Sequence, residues 1–316
     1  MLTAAQVKEA ARYYGADLVG IGDIGRWKNV PPESDPKGIL PEAKSVICLG
    51  FRIHRGTYRS LDEGYTSGYT VAGFADLNNF VGPFVQRRLA SYLEDDGYEA
   101  AIVVFASNKL GTSDVLFNHR IGAELCGVGK IGMSRLVLTP QFGPGQRFFF
   151  LLTDAELEPD PIMSESVCDG CGMCLRECPG RALCRTPDDV HIPDVTDIRR
   201  FSLDSVKCAM VHGGAVSDYA PEDVRSFALN VIGGTSDTLA DGSSRPPDGE
   251  LMAYTRGKIP YASNAMELFH SPAGLCGGKG CMRACIAHLE SRGRLRRTFN
   301  RPFRVKRGED NEQNRH

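Results

Sequence analysis

Cys168-Asp-Gly-Cys171-Gly-Met-Cys174-Leu-Arg-Glu-Cys178-Pro179 sets four thiols in eleven residues, with the spacing C-x2-C-x2-C-x3-C-P. This is the spacing with which a bacterial ferredoxin loop wraps a 4Fe–4S cube. Short spacers let three thiolates converge from one loop, and Gly170 and Gly172 relax the backbone where it curls. The fourth cysteine of such a run usually ligates a different cluster, so the motif itself predicts a second one. A disulfide framework does not suit a reducing compartment, and a zinc site does not suit the single loop ending in Cys-Pro.

The chain holds eleven cysteines, and four outside that run read as ligands. Cys276-Gly-Gly-Lys-Gly-Cys281-Met-Arg-Ala-Cys285 supplies three and Cys208 a fourth. Ligand exchange between loops would give one cluster Cys168, Cys171, Cys174 and Cys285, and the other Cys178, Cys208, Cys276 and Cys281. The second motif departs from the ferredoxin pattern: its first spacer has four residues and Ile286 stands in place of proline. A degraded or three-iron second cluster is the alternative. Cys48, Cys126 and Cys184 read as inert thiols, Cys48 within a buried strand.

At 316 residues, with 42% hydrophobic and 24% charged residues and net charge −2, the composition is that of a globular protein with no global attraction to nucleic acid or membrane. No run reaches the roughly 20 apolar residues that span a bilayer. The N-terminus reads as an amphipathic helix and a strand without an export signal, so a cytoplasmic protein is expected. Residues 1–157 read as an α/β domain. Its helices are expected at Leu2–Tyr14, Asp76–Glu94 and Asp114–Cys126, the last capped by Asp114. Its strands are expected at Asp17–Ile21, Ser45–Phe51, Ala101–Phe105, Arg135–Thr139 and Arg147–Leu152. Residues 158–290 form the cluster module with an insertion at 209–275, in which Gly233–Glu250 reads as a flexible surface loop. Residues 291–316 are a basic tail whose Leu295, Phe299 and Phe303 suggest a strap over the domain, an RNA contact being the alternative.

Two motifs do not carry weight. Gly127-Val-Gly129-Lys-Ile-Gly132 matches G-x-G-x-x-G, but a helix precedes it and a strand follows, the reverse of a dinucleotide site. Asp189-Val-His191 opens a D-x-H-x-x-G loop that lacks the glycine, Asp194 standing in its place.

The segments GADLVGIGDI, ILPEAKSVICLG and HRIGAELCGVGKIGMSRLVLTPQFGPGQRF, followed by the two cysteine motifs, resemble the family joining reductive dehalogenases and epoxyqueuosine reductases. The likeness runs over roughly residues 5–290. It implies an α/β (α+β), nitroreductase-like domain that binds a cobalamin without its lower axial base, followed by a ferredoxin-like module that feeds it electrons. It further implies a Co(I)-dependent cleavage of a carbon–halogen or carbon–oxygen bond in a small-molecule substrate, supplied by a low-potential ferredoxin or flavodoxin. The cluster of Cys178, Cys208, Cys276 and Cys281 would lie nearer the corrin. Tyr69 or Asp114 would be the proton donor, with Tyr65 and His119 as further candidates. Lys130, Arg135 and Gly143 would contact the cofactor, Gly143 because it lacks a side chain. An electron carrier or corrinoid activator, and a tRNA-modifying reductase, are the competing functions.

Overall fold

The computed structural model describes residues 2–63, 65, 68–104, 117–192, 196–212, 222–235, 237–248, 250–251 and 275–303. The chain forms two compact units: Met1–Ile53, Asp76–Cys171 and Arg185–Ser202 make the first, and His54–Ala75, Gly172–Cys184 and Leu203–His316 the second. Residues 158–171 and 185–202 thus belong with the N-terminal sheet, and residues 54–75 with the cysteine-rich part.

In the first unit, α1 (Ala4–Tyr13) starts in a capping box. The Thr3 hydroxyl accepts from Gln6 N, and the Gln6 side chain accepts from Thr3 N. The strands β1 (Leu18–Asp23), β2 (Ser45–Arg52), β3 (Ala100–Val103) and β6 (Gln146–Thr153) form one sheet in the order β1-β2-β6-β3. Every neighbouring pair runs antiparallel, with Ile21 opposite Ile47 and Ile47 opposite Leu151. Strand side chains alternate between faces. Val46, Cys48, Phe150 and Leu152 lie on one face and Ile47, Leu49, Phe149 and Leu151 on the other, all of them buried. Burial on both faces explains why these strands read as unbroken apolar runs rather than alternating ones. The fold is therefore mixed α and β on an antiparallel sheet.

Three expected elements differ. The run Arg135–Thr139 does not join the sheet; β5 (Val137–Leu138) pairs with β4 (Lys130–Ile131) instead. The turn between them, with Arg135 at φ 65, folds the chain back and satisfies the ladder locally. The helix expected at Asp76–Glu94 is regular only as α3 (Gly82–Asp95), where Pro83 occupies the first turn. Gly68–Ala75 and Leu77–Val81 before it wind more widely, as π-helix. The helix expected from Asp114 is α4 (His119–Leu125), capped by Asn118, whose Oδ1 accepts from Arg120 N and Ile121 N. Asp114 therefore does not cap it, and that residue lies outside the described residues.

In the second unit, α2 (Arg55–Asp62) packs on Gly68–Ala75. It is joined by α5 (Met173–Arg176), α6 (Ser205–His212), α7 (Glu222–Gly233), α8 (Leu275–Lys279) and α9 (Cys281–Ser291). The segment read as a flexible loop is pinned within its described part. Arg245 donates to both Asp204 oxygens at 2.9 and 3.2 Å, and Asn230 donates to Asp241 at 2.9 Å. After α9 the chain folds back over its own unit. The Arg55 guanidinium lies 4.4 Å from the Phe299 ring and 4.3 Å from that of Phe303, and it forms a bidentate pair with Glu290. The strap reading of residues 295–303 fits these contacts.

In the sheet, Gln86 is buried and its Nε2 donates to Phe150 O at 2.8 Å and Val103 O at 3.2 Å. Gln86→Leu strands both carbonyls and is expected to cost about 1–3 kcal/mol, read as a lower denaturation midpoint with an unchanged m-value.

Candidate metal centre

None of the eleven cysteines, all among the described residues, forms a disulfide. Cys48 and Cys126 lie fully buried, and burial pushes both thiols up. They are inert, as a small apolar side chain would be.

Cys168 N donates to Ser166 Oγ at 3.1 Å and Cys171 N to Asp169 Oδ1 at 3.2 Å, both turns of the first unit. Gly172, at φ 74, opens the one-turn helix α5, which presents the buried Cys174. Cys178 Sγ accepts from Ala182 N at 3.3 Å.

Within the second unit the two motifs meet. A Cβ on Gly280 would lie 2.5 Å from Glu177 O, 2.7 Å from Pro179 Cδ and 2.8 Å from Cys276 O. The loop ending at Cys281 therefore passes directly over the loop after Cys178, an approach only glycine permits. Helix α8 packs on α6, which carries Cys208, and α9 packs on α5. The Cys281 thiol is pushed well up, first by burial and then by the charges of Cys276, Cys178, Cys208 and Cys174. Five sulfurs thus share one neighbourhood, and four of them are the set expected for the second cluster. Lys207, next in sequence to Cys208, is no counterion for them: its Nζ donates to Gly234 O at 3.0 Å and lies 3.9 Å from Asp204. Crowded cysteine sulfurs suit a bound cation centre, and sulfur donors select zinc or iron–sulfur clusters. The donor set fits a 4Fe–4S cube.

Tyr69 is fully buried beside this loop. Its hydroxyl lies 3.4 Å from Met282 Sδ, and a Cβ on Gly278 would sit 3.0 Å from its ring. The four-residue spacer between Cys276 and Cys281 thus carries the two glycines against which the Tyr69 ring rests. Tyr65, by contrast, is 62% exposed.

In the first unit, Lys130 Nζ lies 3.6 Å from Glu124, a buried carboxylate that also accepts from Ile131 N at 2.8 Å and from the Thr196 hydroxyl. Gly132 follows, and a Cβ there would lie 3.3 Å from Cys168 Sγ. The G-x-G-x-x-G match is therefore a helix end and tight hairpin, its last glycine set against Cys168 of the four-cysteine motif. Arg135 pairs with Asp188 and holds that carboxyl below the usual range, while Arg200 joins the same carboxylate at 3.2 Å. Thr139 and Gly143 exchange two backbone bonds of 2.9 Å, with Gly143 at φ 58. Between them, Gln141 Oε1 is buried with no hydrogen-bond partner among the described residues. Four residues were missed in the sequence: His212, Gly280, Met282 and Glu124. Of these only His212 carried a signal, lying one helical turn after Cys208.

No family model matches the chain. Among curated proteins it is 28% identical over 246 residues to an epoxyqueuosine reductase of Gloeobacter violaceus, covering 70% of this chain and 68% of that protein. It is 26% identical over 216 residues to a tetrachloroethene reductive dehalogenase of Sulfurospirillum multivorans, covering 57% of this chain and 40% of that one.

The chain is a relative of both groups.

The chain spans well under half the length of the dehalogenase it matches. A solved epoxyqueuosine reductase from Bacillus subtilis aligns over 92% of this chain and 82% of that one, with 16% identity and TM-score 0.47. No described helix of this chain is long and apolar enough to cross a membrane.

His119, a candidate donor, packs its ring edge-on against Phe150 and bonds Phe117 O at 3.1 Å. Burial lowers its pKa to about 4. The neutral ring is the form the fold favours, so its contribution to stability is complete above the ordinary value near 6.5 and is lost as pH falls toward 4. A histidine NMR titration is expected to find this ring neutral at pH 5.5; a midpoint near 6.5 would contradict the burial argument.

Proposed function

We propose that this chain is an oxidoreductase of the reductive-dehalogenase-like type, carrying two 4Fe–4S clusters and a cobalamin, that reductively cleaves a carbon–halogen or carbon–oxygen bond. The observation that carries the reading is the convergence of Cys178, Cys208 and Cys276 on the Cys281 thiol, thiols up to about a hundred residues apart in sequence. Cys168, Cys171, Cys174 and Cys285 are assigned to the other cluster on spacing. When bound, the clusters supply one-electron transfer and the cobalamin a reducible cobalt. The overall change for a halide is R–X plus two electrons and one proton giving R–H and X⁻, the electrons coming from a low-potential ferredoxin or flavodoxin.

The chain's own part is to hold, orient and protonate. The buried Gln141 Oε1, in the same turn as Gly143, is an acceptor suited to an amide of the corrin periphery, which supports placing the cofactor near Gly143. Lys130 and Arg135 are assigned to the same region. Their ion pairs with Glu124 and Asp188 fix the two side chains in place. Tyr69 and Asp114 are the assigned proton donors, Tyr69 with its hydroxyl set within the cluster loop.

The epoxyqueuosine-type alternative, cleaving a carbon–oxygen bond in a tRNA, draws on the Gloeobacter match, which spans 68% of that relative. Exposed Arg292, Arg294, Arg296 and Arg297 would then meet phosphates, and binding would weaken steeply with salt.

Anaerobic purification with cobalamin supplied, followed by metal analysis and EPR, tests the proposal. About eight irons and about one cobalt per chain, with a base-off Co(II) signal, are expected. Eight irons with no cobalt under any condition would overturn the enzyme reading and leave an electron-transfer protein.

A further inference from the structure

Helix α6 carries Cys208 and, four residues later, His212, so the two side chains leave one face of the helix. That face looks onto α8, which begins beside Cys276. His212 Nδ1 lies 4.0 Å from Cys276 Sγ, and the Phe74 ring packs against the imidazole with centroids 5.4 Å apart. Cys276 is also the first of the sulfurs whose charge raises the Cys281 thiol. The aromatic neighbour thus holds the ring with one nitrogen facing the Cys276 sulfur.

We propose that His212 donates a hydrogen bond through Nδ1–H to the Cys276 thiolate, and that this bond raises the reduction potential of the cluster held by Cys178, Cys208, Cys276 and Cys281. The inference rests on that cluster assignment and adds to it a positioning residue that sets the potential. Reduction adds one electron from the external low-potential donor and moves no proton. The reduced cluster carries one more negative charge, spread in part onto its thiolate sulfurs. A donor aimed at one of those sulfurs therefore stabilises the reduced state more than the oxidised one. The Nδ1–H tautomer leaves Nε2 as the acceptor of the ring.

The test is an EPR-monitored redox titration of the full chain, purified anaerobically, as wild type and as His212→Asn, His212→Phe and His212→Met. Asparagine keeps an N–H near the Nδ1 position. Phenylalanine keeps the packing against Phe74 but loses the donor, and methionine loses the donor with a flexible, gap-filling chain. Iron and sulfide per chain are expected to be unchanged in all four. At the wild-type midpoint, the ratio of reduced to oxidised cluster is expected to fall about tenfold in the Phe and Met variants, a shift of about 59 mV to more negative potential. The Asn variant is expected to restore most of the difference. Intact iron with an unmoved midpoint in the Phe and Met variants would overturn the inference, as would an equal shift in all three. A wild-type protein that binds no iron would overturn the cluster assignment itself, so iron content separates the two failures.

Discussion

The crowding of four cysteine sulfurs around Cys281 is the constraint on which the second unit depends. Charges within a few ångströms in a low-dielectric space cost several kcal/mol each unless an opposite charge is bound among them. Here the crowding around Cys281 comes from four other cysteines, and Lys207, next in sequence to Cys208, is already committed to Gly234 and Asp204. On the proposed cluster assignment, folding and metal binding would be one process, the site being stable when filled. The shape of the surrounding chain follows from the same requirement. Gly280 lets one loop cross the other, Gly277 and Gly278 leave room for Met282 and the Tyr69 ring, and α5 is a single turn that delivers Cys174.

The first unit solves a different problem. Its sheet is buried on both faces. Glu124 is central to that hairpin: fully buried, it ties Ile131 N, the Thr196 hydroxyl and Lys130 to the end of α4. The hairpin in turn sets Gly132 against Cys168. A carboxylate in the α/β core is thereby connected, through one strand, to a cysteine of the ferredoxin-type motif.

Much of this was legible in the residues. Thiol spacing named the four-cysteine loop and the need for more ligands, and Cys208 was singled out because one ligand was missing. The short apolar runs at Ser45–Phe51 and Arg147–Leu152, bounded by turn residues, read as buried strands and are strands in the fold. What was hidden depends on partners distant in sequence. The hairpin Lys130–Leu138 was read as a sheet strand because nothing local reveals which edge its ladder joins. Gly233–Glu250 looked flexible by composition, yet Arg245 reaches a carboxylate forty-one residues away. Asn118, not Asp114, caps α4, since either residue type suits a cap and only the backbone decides between them. His212 could have been found from its four-residue offset to Cys208, had the ligand helix been read for donors as well as thiols.

The most direct test of the central claim is the mass of the intact chain under anaerobic, non-denaturing conditions, for the wild type and for Cys208→Ala. The account predicts the chain mass plus two Fe4S4 units for the wild type, and the loss or iron depletion of only one of them in the variant. A metal-free or zinc-bound mass for the wild type, or identical cluster masses for both proteins, would contradict it.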